Sequence, residues 1–179
     1  MNRTLLLFLL FFSNTILAQD KITTSKGTIV FEASVAFFEA VTAKNDQVHC
    51  VLNASKGHIS FIAYIREFRF ERSLMEQHFN ENYLESDRYP KATFKGIIEK
   101  FDLKNITTTS KTHYIKGKIY IHGKSKGIRV LANIIKTKTG IKITTNFSLN
   151  TDDFKIEIPF MVRNKIAKEV NVSVDMDLK

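Results

Sequence analysis

The sequence has one cysteine, two prolines and no tryptophan. Cys50 has no partner within the chain, so no intramolecular disulfide forms and stability must come from a packed core. No His-Glu-x-x-His pattern occurs. The five histidines, His49, His58, His78, His113 and His122, form no cluster with the cysteine. A structural or catalytic metal site is therefore unsupported, and no cofactor is expected. There is no glycine-rich phosphate loop and no Gly-x-Ser-x-Gly elbow. Asp152 and Asp153 read as solvated turn acids, and His78 with Glu76 and Glu81 reads as one face of a short helix. These absences point away from an enzyme. No low-complexity linker or shift in composition divides the chain, so one domain is expected.

The first eighteen residues have a secretory signal pattern. Arg3 gives a positive start, Leu5–Phe12 is an unbroken apolar run, and Ala18 supplies a small residue for cleavage. The run is shorter than the roughly 20 residues that span a bilayer, and nothing later in the chain approaches that length. Export to the periplasm or beyond is expected, with cleavage near Ala18 leaving residues 19–179 as the folded domain. Losing Arg3 lowers the net charge from +9 to +8. Basic residues are scattered, which suits a solvated lysine-biased surface or attraction to anionic lipid headgroups or envelope polymers, and a solid-cored barrel acting through that surface in envelope stress protection or interaction is the alternative to a ligand carrier. Nucleic acid is a poor partner for an exported chain. Dimerisation stays open.

What is present is period-two alternation, the pattern of strands with one wet and one dry face. Val170, Val172, Val174, Met176 and Leu178 alternate with polar residues, as do Ile141, Ile143, Thr145, Phe147 and Leu149. Ile115, Gly117, Ile119 and Ile121 lead through His122-Gly123-Lys124 into Ile128, Val130, Ala132 and Ile134. Val48, Cys50, Leu52 and Ala54 join Ile59, Phe61, Ala63 and Ile65 through a turn at Lys56-Gly57. Ile29, Phe31 and Ala33 begin the series, and Phe94, Gly96 and Ile98 form another strand. One dry face per strand argues for an antiparallel sheet. About eight such strands with no long helix to cover them bury that face best by closing into a barrel. A two-sheet sandwich fits the periodicity too. The expected class is all-β, an eight-stranded antiparallel barrel with one short helical excursion.

That excursion runs from Phe68 to Asp87. Ser73 with Glu76 reads as a capping box, and Leu74, Met75, His78 and Phe79 share one side of a short helix. Tyr89-Pro90 returns the chain to extended geometry. On a barrel this segment covers a mouth or lies along the wall.

A barrel of this size either fills itself with side chains or holds one slender ligand. Inward glycines at 96 and 117 suggest room. With few charges expected inside, a ligand would be mostly hydrocarbon. The expected ligand-binding set is Phe31, Ile59, Phe61, Phe70, Met75, Phe79, Phe94, Gly96, Ile98, Gly117, Ile119, Ile121, Ile143, Phe147, Val172 and Val174.

Two stretches carry a family resemblance. One is Met75–Gly96, with Phe79 preceding Tyr89-Pro90-Lys91-Ala92-Thr93-Phe94. The other is Gly117-Lys118-Ile119-Tyr120-Ile121-His122-Gly123 followed by Ser125-Lys126. Together with the opening strand Gly27–Phe31, they resemble the YceI-like family of bacterial lipid- and polyisoprenoid-binding proteins. The resemblance implies a lipocalin-like barrel with an isoprenoid chain along its interior, a periplasmic or secreted location and no catalytic residues. The sequence departs from the family pattern in lacking tryptophan, in its basic balance and in the apolar stretch Phe154–Val162.

Overall fold

The computed structural model describes residues 21–179. The expected signal peptide, residues 1–18, lies outside the described residues.

Among the described residues nine strands and one α-helix follow in order: β1 (Lys21–Ser34), β2 (Thr42–Asn53), β3 (His58–Tyr64), β4 (Arg69–Phe70), α1 (Ser73–His78), β5 (Lys91–Ile98), β6 (Lys111–Ile121), β7 (Lys124–Lys136), β8 (Ile141–Asn150) and β9 (Ile166–Leu178). Neighbours run β1-β9-β8-β7-β6-β5-β3-β2, and β2 pairs back onto β1. Every one of these pairings is antiparallel. The sheet is thus a closed eight-stranded barrel, and the sandwich reading falls. The two-residue β4 only adds to β2, opposite Ala43 and Lys44.

The turns follow from residue chemistry. His122 and Gly123 have φ of 50° and 70°, the paired left-handed geometry that suits the twist of a tight hairpin. Gly57, with φ 67°, serves the β2–β3 turn. The wall is charged outside, with ion pairs such as Arg129–Glu99 (2.8 Å) and Lys142–Asp175 (2.9 Å), and apolar inside. That is the reverse of a barrel whose outer face meets lipid.

The two ends of the barrel differ. At one end lie the β2–β3, β5–β6 and β7–β8 connections and both ends of the described chain. Thr23 N–H donates to Lys179 O, and Lys179 N–H to Thr23 O, each at 3.0 Å. Here Val48, Cys50, Leu52, Ile59, Ile98, Ile134, Ile143, Met176 and Leu178 form a plug in which no side chain exceeds 2% exposure. The opposite end carries the β1–β2, β3–β5, β6–β7 and β8–β9 connections, and it is open.

The excursion sits across this open end, but it is built differently from the expected capping box. The residue before α1 is Arg72, and no side chain caps the helix. Glu76 instead accepts from Phe70 N–H at 3.1 Å and from Arg69 at 3.3 Å, which ties the helix to β4. Leu74 is not packed with Met75 and Phe79; it points to solvent. After six residues the helix widens into a single broad turn, Phe79–Tyr83, closed by Leu84 N–H donating to Phe79 O at 2.9 Å. The pull is aromatic: Phe79 meets Phe31 at 5.4 Å between ring centroids, Phe70 at 5.1 Å and Phe68 at 5.8 Å.

Candidate functional site

The open half of the barrel contains a cavity of about 530 Å³. Its wall is built strand by strand from inward positions: Ile29, Phe31 and Ala33 on β1; Phe61 and Ala63 on β3; Ile115, Ile119 and Ile121 on β6; Ile128 and Val130 on β7; Phe147 and Leu149 on β8; Val170, Val172 and Val174 on β9. The excursion contributes Phe68, Phe70, Met75, Phe79 and Leu84. The β8–β9 connection folds back over the opening and adds Phe154, Ile156, Ile158 and Val162.

Of the residues expected at a ligand, Phe31, Phe61, Phe70, Met75, Phe79, Phe94, Ile119, Ile121, Phe147, Val172 and Val174 line this cavity. Five do not. Ile59, Ile98 and Ile143 face inward but belong to the plug, at 2%, 1% and 0% exposure. Alternation gives the face of a residue, not its depth along the barrel axis, and these three lie too deep. Gly96 and Gly117 stand off the cavity for another reason. They oppose each other across β5 and β6, and the ring of Phe94 lies over both. A Cβ on Gly96 would stand 2.6 Å from Phe94 Cζ, and one on Gly117 2.5 Å from the same atom. The space the glycines leave belongs to an aromatic ring, not to a ligand. Phe94, tilted against Phe61 at 5.7 Å, becomes part of the cavity floor.

Sequence reading missed the lining from the β8–β9 connection, although the apolar stretch Phe154–Val162 was its signal. It also missed the join made by His122. Beyond forming a turn, His122 places Nε2 2.7 Å from Glu85 Oε2 and Nδ1 3.2 Å from Phe154 O, with the Tyr89 ring at 4.8 Å. One imidazole thereby links three of the connections around the open end.

Polar groups gather at the mouth. Glu39, His78, Tyr83, Asn150, Thr151 and Lys165 reach the cavity there. Burial raises the Tyr83 phenol above its ordinary pKa, so it remains a neutral donor. Thr151 Oγ1 is buried without a partner among the described residues. Glu76 is engaged by β4 and Glu81 by Gln77 at 3.2 Å, so His78 faces the cavity while both acids of that candidate group are bonded elsewhere. Among the described residues no group of three or more His, Cys, Asp or Glu side chains is placed to hold a metal ion.

Cys50 lies in the plug, and burial pushes its thiol from an ordinary 9.0 to about 12. The native thiol is expected to resist a disulfide reagent at pH 8 and to react fully once urea unfolds the chain. The raised pKa also sets a pH dependence. As pH rises from about 9 toward about 12 the unfolded chain ionises this thiol and the native state does not, so stability falls across that window. Thiol titration with and without denaturant checks the first expectation, and urea midpoints across the alkaline range, compared with Cys50→Ala, check the second.

A closed eight-stranded barrel with an apolar cavity at one end and a polar rim defines a lipocalin-like fold. The sequence matches the YceI-like domain family over residues 21–178, and the chain belongs to that family. Solved structures agree on the fold. A polyisoprenoid binding domain from Saccharophagus degradans, implicated in plant cell wall breakdown, superposes with a TM-score of 0.76 at 14% identity, covering 89% of this chain and 97% of that one. BcnA of Burkholderia cenocepacia gives 0.67 at 14% identity, with 84% and 94% coverage. The YCEI protein of Campylobacter jejuni gives 0.52 at 20% identity, with 87% and 86% coverage. A search of curated protein sequences finds no match.

Proposed function

We propose that the cavity binds the hydrocarbon chain of a lipid without covalent attachment, a polyisoprenoid or isoprenoid quinone, and that the protein carries or sequesters that lipid in the cell envelope. The observation that carries this reading is the cavity itself: about 530 Å³, walled mostly by aliphatic and aromatic side chains, with every charged group at the mouth and the deeper Thr145 hydroxyl already donating to Leu131 O. Pockets of several hundred Å³ are the usual size for small apolar ligands. Each methylene removed from water there contributes roughly 0.8 kcal/mol, so a chain binds without polar contacts along its length. Asn150, Thr151 and Tyr83 then meet the headgroup. The printed description of the Saccharophagus domain as polyisoprenoid-binding supports the choice of ligand. The work of such a protein is binding, not catalysis. We place it outside the cytoplasm on the N-terminal pattern, with the mature chain beginning near Gln19; the mass of the chain isolated from an envelope fraction checks this.

The test is organic extraction and native mass spectrometry of protein purified from its own host, with titration of added polyprenyl quinones. Val172→Phe projects a ring into the cavity and is expected to weaken quinone binding about tenfold or more while leaving the fold intact. If repeated preparations carry no lipid and added quinones do not bind, the reading fails.

A further inference from the structure

We propose that the rim of the cavity docks on the surface of an anionic lipid bilayer, with Phe37, Phe160 and Met161 inserted among headgroups and acyl chains. These side chains are 106%, 84% and 86% exposed, whereas no apolar residue on a strand exceeds the 52% of Leu131. Among the described residues, exposure of large apolar side chains on this scale is confined to the open end. All three side chains stand on two connections, β1–β2 and β8–β9, which leave adjacent strands where Ser34 pairs with Ile166. The two connections therefore meet the barrel side by side. Leu74 on α1, 59% exposed, adds a third point, and the Arg72–Glu39 ion pair holds that helix against the β1–β2 connection.

The tips are held by ordered turns. Phe37 has φ of 67°, a left-handed conformation unusual for an aromatic residue, and Phe38 N–H donates to Val35 O at 3.1 Å. On the other connection, Val162 N–H donates to Pro159 O at 3.0 Å and Arg163 Nε to Ile158 O at 3.0 Å. Aromatic and Met side chains presented this way are ready to enter an interface at little conformational cost.

Two observations select a bilayer as the occupant. The first is charge. Residues 155–165 carry Lys155, Arg163 and Lys165 against the single acid Glu157, while Lys168 is paired with Asp152 at 2.8 Å, so cations flank the apolar tips as in segments that seat on anionic membranes. The second is continuity. The same two connections that project the tips also line the cavity through Phe38, Val41 and Val162. An apolar path thus runs from the tips into the barrel. Three protruding side chains flanked by cations make a small patch that would bring like charges together against a second copy, whereas anionic headgroups adapt to them. Docking stands on the rim alone. Its use, moving a lipid between bilayer and cavity without crossing water, rests on the function proposed above.

The experiment is co-sedimentation of the purified protein with vesicles of phosphatidylcholine alone and of equal parts phosphatidylcholine and phosphatidylglycerol. It is run beside uptake of a fluorescent fatty acid in vesicle-free buffer. The protein is expected to sediment with the anionic vesicles, more weakly at high salt. Phe37→Ser/Phe160→Ser/Met161→Ser is expected to lose about tenfold or more of that affinity while taking up the fatty acid unchanged. Because the chain has no tryptophan, Phe160→Trp supplies a single reporter whose emission shifts to the blue on docking. Failure of the parent protein to bind anionic vesicles, or equal binding by the triple variant, overturns the proposal. So does a dimer in sedimentation velocity that the triple variant abolishes while vesicle binding persists, because the tips then serve a second copy. Vesicle binding lost in the variant, with no fatty acid uptake by either protein, supports the rim and leaves the cavity reading to the quinone titration described above.

Discussion

Gly117→Ala is expected to cost about 3 kcal/mol of folding stability, a large loss for one methyl group on a strand. The added Cβ would stand 2.5 Å from Phe94 Cζ and 2.6 Å from Gly96 Cα, and would press on the backbone oxygen of Lys95. A ring can turn aside, but the Gly96 backbone and the Lys95 carbonyl are fixed by the β5–β6 ladder, where Gly96 pairs with Gly117. The strain therefore has no easy exit. Gly127→Ala is the control. Its Cβ would meet only Gly117 O, at 3.9 Å, and a change within about 0.5 kcal/mol is expected. Urea unfolding of the two variants in one buffer separates them. Phe94→Ala combined with Gly117→Ala is expected to cost less than the sum of the single changes, because the ring and the methyl group compete for one space. A neutral Gly117→Ala would show that Phe94 is not held over the glycines. The same geometry rules out a bulky residue at 117 as a means of filling the cavity, since it would displace the floor first.

Phe79→Ala is expected to release the excursion from the barrel, at a cost of about 3 kcal/mol. α1 has six residues, no capping side chain and no buried residue of its own. Helices this short do not persist in water on local bonds. What holds this one is tertiary: Phe79 stacks on Phe31 with an interplanar angle of 28° and packs against Phe68 and Phe70. Without the ring, residues 69–84 are expected to exchange their amide hydrogens much faster, while β6 to β9 keep their protection. Hydrogen-exchange mass spectrometry reads both regions in one measurement. Unchanged protection over 73–83 would mean that the Glu76 bonds to Phe70 N–H and Arg69 suffice to hold the segment. A bound lipid is also expected to dissociate faster from this variant, since Met75, Phe79 and Leu84 form one side of the opening.

The strands were legible because one face is wet and the other dry, and Val170–Leu178 is as plain an alternation as a sequence offers. The same pattern fits a barrel or a sandwich, and it is the β1–β2 pairing that closes the barrel. Depth is not in the pattern either. Ile143 and Phe147 read alike in the sequence, yet one fills the plug and the other faces the cavity, because position along the axis is set by the stagger between strands. Glycine was legible as missing volume but not as whose volume. Phe94 lies two residues from Gly96 and claims the gap, a relation that needs the β5–β6 register to be seen. Ser73 misled because capping boxes are local patterns, and here the local pattern yields to the aromatic cluster around Phe31. The apolar β8–β9 connection was visible as an anomaly. Only its folding back onto the mouth gave the anomaly a place, with Phe154 1% exposed and Phe160 six residues later in solvent.

The reciprocal bonds between Thr23 and Lys179 bring the two ends of the described chain together at the plugged end of the barrel. An affinity handle, a fluorescent fusion or a tether to a sensor chip joined at either end is thereby directed away from the mouth. The same proximity permits a rewired chain in which a short linker joins residue 179 to residue 21 and new ends open in the turn at Lys56 and Gly57. Such a permutant keeps every connection around the mouth continuous, so folding and ligand uptake become separable engineering targets at opposite poles of one barrel.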